Sequence, residues 1–217
     1  VDASRHSSKP SAKHDLREAC VSEALRIIEE SGIEALSFRE VARRLNVSHQ
    51  APYKHFASRD AILAEVVARA FSSFASALDA REHSDNPHDD LTAMGLAHLA
   101  YATEHPLQYR LMFGTPLPDP EQHPQMLGKA QYCFSILRDC LERLYEGHPQ
   151  ARAFAELDAM FVWSSMHGLV TILETDAVKT LQFTPEKLES VVRHVMNRIG
   201  NALGENTGAQ PIAPEEI

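Results

Sequence analysis

The chain has 217 residues, 44% of them hydrophobic, and a formal net charge of −9 at pH 7. That length holds one domain or two around a packed core, and the short, interrupted aliphatic runs predict neither a membrane-spanning segment nor a signal-peptide core. Three unevenly spaced cysteines fit a reducing compartment better than a disulfide framework, so the cytoplasm is the expected location.

Residues 1–12 are polar, with Arg5 and Lys9, and are expected to form a disordered basic arm. Asp15 and Glu18 stand at capping-box spacing and open a helix with Leu16, Ala19, Cys20, Ala24, Ile27 and Ile28 inward. Gly32 ends it in a C-cap, with Ile33 as the hydrophobic contact just beyond. Ser37 and Glu40 form a second capping box, and Phe38, Val41, Ala42 and Leu45 fall on one face of the helix that follows. Asn46 accepts the left-handed conformation that ends a helix, Val47 is expected to be buried in the turn, and Ser48 caps a second short helix. Two short helices joined by such a turn make a helix-turn-helix, whose second helix enters the DNA major groove. Residues 13–57 are therefore expected to form a DNA-binding domain.

Ser58 caps a connecting helix over 58–82, with Ile62, Val66, Ala70, Phe74, Ala77 and Leu78 on its apolar side. The polar stretch from His83 to Asp90 breaks it, and Asn86-Pro87 with Asp89 and Asp90 opens the next helix, which runs to Glu104. His105-Pro106 interrupts the pattern, a short amphipathic turn follows to Phe113, and Pro116, Pro118, Pro120 and Pro124 mark a loop. Helices are then expected over about Gln125–Glu146, Ala151–Thr175 and Thr184–Leu203. The last has Pro185 at its first position and Phe183 and Leu188 at staple spacing. Residues 83–204 are expected to form a second, larger helical domain, and 205–217 a disordered polar tail. No alternating strand segment or internal repeat is present. The expected fold class is all-α: an N-terminal three-helix helix-turn-helix DNA-binding domain plus a larger helical bundle, about nine helices in all.

The negative net charge is unevenly placed. Through Asp60 ten Lys/Arg face nine Asp/Glu, whereas the remainder carries eleven against twenty-one. An acidic body repels DNA except through the tip of the near-neutral N-terminal module. In that tip Gln50 can bond adenine bidentately, His49 or Lys54 can reach guanine N7, and the Ala51 methyl can touch thymine. Ser48 and His55 flank them, while Tyr53, Lys54, Arg59 and the Ser37 hydroxyl suit phosphates. Pro52 forfeits little in a first turn whose amides are unpaired anyway. The competing reading is a three-helix scaffold with a merely solvated polar tip.

The run S-F-R-E-V-A-R-R-L-N-V-S-H-Q-A-P-Y-K-H-F-A-S-R-D-A-I-L, Ser37 to Leu63, resembles the DNA-binding signature of the TetR family of bacterial repressors. Val47-Ser48, Tyr53-x-His55-Phe56 and Ser58-Arg59-Asp60-x-x-Leu63 stand at the family's spacings, and Asn46 departs from its usual Gly. The resemblance maps the family's phosphate-contacting Tyr onto Tyr53, the following His onto His55 and the basic residue opening the connecting helix onto Arg59. Its base-reading positions fall on His49, Gln50 and Ala51. Glu104–Phe113 and the W-S-S-M-H-G-L run, Trp163–Leu169, are similar to the WHG-type ligand domain of the same family. The resemblance implies a non-enzymatic transcriptional regulator: a repressor released from a palindromic double-stranded DNA operator by an unidentified small molecule. It also implies a homodimer through the last two long helices, Ala151–Thr175 and Thr184–Leu203, in which the inducer pulls on the connecting helix and changes the separation of the recognition helices.

Tyr101, Tyr109, Met112, Phe113, Phe134, Met160, Trp163, Met166 and His167 are the candidate lining of an apolar effector pocket. The same residues serve as ordinary core, and His167-Gly168 suits close helix packing at a dimer. Twelve histidines raise a metal site, at His83, Asp85, His88 and Asp89 or at His98 and His105. None forms a compact His pair or Cys cluster, so no metal or cofactor is expected. Cys133 and Cys140 lie about 10.5 Å apart along one helix, too far for a disulfide, and read as buried thiols. The alternative function is an all-α metal- or acid/base-dependent hydrolase using the histidines and carboxylates of the C-terminal half, although no catalytic pair has a recognisable spacing.

Overall fold

The computed structural model describes residues 12–114 and 116–207. Of the expected arm at 1–12, residues 1–11 lie outside the described residues, as do residues 208–217 of the expected tail at 205–217. Every described element is helical.

Helix α1, Ala12–Ser31, starts before the Asp15 box, so Asp15 lies in the first turn, where a carboxylate suits the exposed amides. Gly32 ends α1 as expected, with φ 81° and its amide bonded to Ile28 O at 2.9 Å. A single 3₁₀ turn, Ile33–Ala35, leads to α2, Phe38–Arg44. Ser37 Oγ accepts from the Glu40 amide at 3.2 Å, but the other half of that capping box does not form. Arg43 and Arg44 take the Glu40 carboxylate at 2.7–2.8 Å, because charge-assisted bonds outcompete a neutral amide. These hydrogen bonds hold Glu40 down to about 2.

Asn46, at φ 52°, donates to Arg43 O at 3.2 Å, and Val47 donates to Ala42 O at 3.0 Å. This is a Schellman motif, and it reverses the chain without glycine. Val47 is half-buried in it rather than buried. The second helix of the motif is shorter than expected. Ala51 donates to Ser48 O at 2.8 Å, a 3₁₀ turn spans Pro52–Lys54, and the His55 and Phe56 amides share Pro52 O. Pro52 has no amide to continue an α-helical ladder, so the tighter turn prevails.

Helix α3, Arg59–Asp79, is capped by Ser58, whose Oγ accepts from the Ala61 amide at 3.1 Å. By length and composition alone it is apolar enough to cross a membrane, contrary to the expectation from short aliphatic runs. Its apolar residues Ile62, Leu63, Val66, Val67, Phe71 and Phe74 are buried in the protein, as in a core helix. Its Glu65 pairs with Arg17 of α1 at 2.7 Å, and its Arg69 with Glu18 of α1 at 2.7 Å.

Helices α4, Pro87–Glu104, and α5, Pro106–Phe113, follow; α5 is a true helix where only a turn was expected. Then come α6, Pro124–Leu144, α7, Pro149–Arg152, α8, Ala155–Glu174, α9, Asp176–Thr180, and α10, Pro185–Thr207. The single helix expected over 151–175 is thus broken at Ala153–Phe154. The Phe154 amide bonds Ala151 O at 2.9 Å in a tight turn, with φ −102° and ψ 1°. Ala151, Ala155 and Ala159 stay buried across the break, so the apolar period runs through it undisturbed. Helix α10 also reaches Thr207, into the stretch expected as tail.

The chain divides into two compact units. Of the described residues, one holds those through Ala70 with those of 110–127, and the other holds Phe71–Tyr109 with those from Gly128. The first is built on Cys20, Ala24, Ile27, Leu36, Phe38, Val41 and Ile62. The second is built on Phe74, Met94, Tyr101, Leu141, Tyr145, Met166 and Leu203, with α8 and α10 packed on each other and on α4. Its core also encloses Asp90, fully buried, which accepts from Arg81 twice at 3.0 Å and from Arg143 at 3.0 Å. Burial alone would raise this carboxyl, yet the two guanidiniums hold it below its ordinary value.

Candidate nucleic-acid interface and ligand-domain cluster

The helix-turn-helix presents Ser37, Ser48, His49, Gln50, Tyr53 and Lys54 as exposed side chains, with Ala51 and His55 half-buried. The Schellman turn at Asn46 and the Pro52 turn put Ser48 to Gln50 at the corner, so these residues are displayed by backbone geometry rather than by a long helix. Gln50 Nε2 lies 3.0 Å from His49 Nε2. An amide N–H donating there places the neutral imidazole proton on Nδ1, and leaves the Gln50 carbonyl and second N–H for a base edge. Tyr53 is 57% exposed, but its ring packs edge-on against Phe38 at 4.6 Å, which aims the phenol outward from a fixed base. Ser37 Oγ accepts the α2 cap bond, and its hydroxyl proton remains available to a phosphate oxygen.

Arg59 behaves differently from the other phosphate candidates. Its Nε donates to Leu36 O at 2.9 Å and its Nη2 to Ile33 O. The remaining Nη1 lies 3.8 Å from Asp60. Sequence reading missed Arg39, which is exposed in the first turn of α2. No carboxylate pairs with it among the described residues, and a cation there works against the helix dipole. That dipole conflict is the signal from which it could have been found.

Of the nine candidate ligand-domain residues, the structure gathers some and separates others. Tyr109 is the centre of the gathered set: its Oη lies 2.9 Å from His98 Nε2 and 3.1 Å from His167 Nδ1. One phenol proton serves only one of these nitrogens, so the other imidazole must donate N–H to the phenol oxygen. Burial brings His98 down to about 4, helped by His167, and burial pushes the Tyr109 phenol up. His98 and Tyr109 are therefore uncharged at neutral pH. Phe74 meets His98 edge-on at 5.2 Å and Tyr101 at 5.1 Å, and Phe134 meets Trp163 at 6.2 Å. Met166 is buried.

Met160 is a correction: at 45% exposure it lies on the outer face of α8 with Leu157 and Phe161, not in an interior lining. Met112 and Phe113 belong to the other compact unit from Tyr109 and His167. The first unit contains a groove of about 310 Å³ beside His55, Ala61, Glu65 and Met126, and none of the nine candidates lines it. His98 enters the sequence reading only as a metal candidate. Nothing in a linear pattern links it to residues 109 and 167.

Among the described residues no three His, Cys, Asp or Glu side chains converge on a metal-sized site. Cys133 and Cys140 are buried thiols, pushed up to about 12 mainly by burial, and so are poor nucleophiles.

Residues 21–66 match the model for bacterial regulatory proteins of the tetR family, and residues 91–199 match that for the tetracyclin repressor-like C-terminal domain. The chain belongs to the TetR family. An HTH-type transcriptional regulator of Mycobacterium bovis is 33% identical over 90 residues, which cover 40% of this chain and 38% of that relative's length. A TetR family transcriptional regulator from Thermus thermophilus has a TM-score of 0.60 at 24% identity, over 83% of this chain and 96% of that one. A protein of unknown function from a Rhodococcus species has a TM-score of 0.70 at 22% identity, over 92% and 98% of the two chains. These likenesses give the TetR fold, an N-terminal helix-turn-helix with a helical C-terminal domain. TetR regulators bind DNA operators and small-molecule effectors, typically as dimers. The hydrolase alternative finds no support among these relationships.

Proposed function

We propose that this TetR protein is a cytoplasmic, homodimeric repressor that binds a palindromic double-stranded operator and leaves it when a small apolar or aromatic effector binds the C-terminal unit. The observation that carries the reading is the exposed set His49, Gln50, Tyr53 and Lys54 on a turn fixed by Asn46 and Pro52. His49, Gln50 and Ala51 read bases, while Ser37, Tyr53 and Lys54 hold phosphates. An apolar or aromatic effector is supported by the uncharged His98–Tyr109 pair beside His167 in its aromatic surround. The release signal is carried by α3, whose residues contribute to both compact units.

Operator selection from random duplexes, followed by titration, tests the proposal. The selected palindrome is expected to bind about a thousandfold or more tighter than random DNA, with affinity falling steeply as salt rises. Equal binding to both duplexes would end this reading.

A further inference from the structure

We propose that Arg59 is a positioning residue for the Ser37 phosphate anchor rather than a phosphate ligand itself. The inference rests on the DNA-binding reading above. A guanidinium that holds a phosphate through its Nε–Nη2 edge must keep that edge clear of backbone carbonyls. Arg59 instead sits at the first position of α3 and reaches back across the module. Its Nε donates to Leu36 O at 2.9 Å and its Nη2 to Ile33 O, with Nη1 near Asp60. Those carbonyls belong to the 3₁₀ turn between α1 and α2, where Leu36 also donates to Ile33 O at 3.2 Å. Leu36 is buried, and the next residue is Ser37, the N-cap of α2.

The rigid fork of Arg59 thus fixes the peptide from which Ser37 and the α2 N-terminal amides project. A shift of α3 along its axis is passed to that anchor through two charge-assisted bonds. Lysine, a single point charge on a flexible stem, cannot hold two carbonyls in this geometry. The same unit also braces α3 against α1. Arg17 of α1 pairs with Glu65 of α3 at 2.7 Å, Glu65 pairs along α3 with Arg69 at 3.1 Å, and Arg69 returns to Glu18 of α1 at 2.7 Å. Helix α3 therefore grips this module at two places, and Arg59 is the one that touches the anchor.

The test compares Arg59→Lys, Arg59→Gln, Ser37→Ala and the Arg59→Gln/Ser37→Ala double variant with the wild type. Affinity for the selected operator is measured at several salt concentrations, well below each variant's melting temperature and with the active fraction fixed by stoichiometric titration. Both Arg59 variants are expected to lose affinity on the order of tenfold, with the slope of log K against log salt unchanged. The double variant is expected to bind no worse than Arg59→Gln alone, since the anchor is already displaced. A slope shallower by about 0.9 in Arg59→Gln, with Arg59→Lys near wild type, marks a direct phosphate contact and overturns the proposal. Additive losses in the double variant overturn it too, because a purely structural Arg59 would not be coupled to Ser37. If the wild type itself fails to prefer its operator, the functional reading has failed first, and that outcome appears before any variant is compared.

Discussion

At the scale of single residues, the proposed interface divides by chemistry. Gln50 has a carbonyl and one N–H to offer a base after its contact with His49, whereas Lys54 offers a point charge with no geometric preference. Gln50→Ala is therefore expected to flatten the preference at one base pair, worth about 1–3 kcal/mol, and to leave the other positions unchanged. Lys54→Ala and Tyr53→Phe should weaken every duplex alike, and Lys54→Ala should also lower the salt slope by about 0.9. Titrations against a panel of single-base operator variants at two salt concentrations separate these outcomes. A uniform loss from Gln50→Ala would remove it from the base-reading set. The residues legible in sequence are those whose partners are close along the chain. Ser37, Asn46, Ser58, Asn86 and Thr184 each act on an amide or carbonyl a few positions away, so a local pattern reveals them. Asp90 with Arg143, Tyr109 with His167, and Arg59 with Ile33 are joined only by the fold, and no spacing rule announces them.

At the scale of elements, the same distinction explains which helices are legible. Apolar period and caps place α3, α4, α6 and α10 within a few residues, because burial of one face and capping of one end are both written locally. The α7–α8 break escapes because Ala151, Ala155 and Ala159 keep the period across it, and the recognition turn is shorter than its pattern because Pro52 closes a 3₁₀ turn instead of opening an α-helix. The contact among α4, α5 and α8 through His98, Tyr109 and His167 has a measurable consequence. His98 titrates near 4 in the folded chain against an ordinary value of 6.5. Between those values the unfolded chain binds more protons, so stability falls as pH is lowered through that window. Urea melts at pH 7 and pH 5 should differ by about 2 kcal/mol from this residue. His98→Gln keeps a hydrogen bond to Tyr109 without titrating and should remove that difference. Asp90 and Glu65, whose ordinary values are 3.8 and 4.5, are held lower in the fold, and their contribution is lost only at more acid pH. An unchanged pH 7 to pH 5 loss in His98→Gln would assign the effect elsewhere.

At the scale of the whole molecule, the unexplained surface is apolar. Phe154, Leu157, Phe161 and Ile172 are 42–65% exposed and recur along one side of α8, while Ala155, Ala159, Val162, Met166 and Val170 occupy its buried side. A helix that is apolar on both sides has a second partner, and within one chain α10 and α4 already cover the first. On the proposed palindromic operator the fitting occupant is a second copy of the chain, since two-fold DNA is read by a two-fold protein. In a two-fold interface each substitution acts twice. Leu157, 65% exposed, can become Asp at little cost to the single chain. Burying that charge in the interface forfeits about 2 kcal/mol or more per copy, so the dimer constant should weaken about a thousandfold. Sedimentation equilibrium is expected to show a monomer for Leu157→Asp, with circular dichroism unchanged. Operator affinity should fall far more than affinity for an isolated half-site, because the variant keeps its helix-turn-helix and loses only the coupling of two of them. A dimer that survives Leu157→Asp with full operator affinity would place the two-fold contact on some other face.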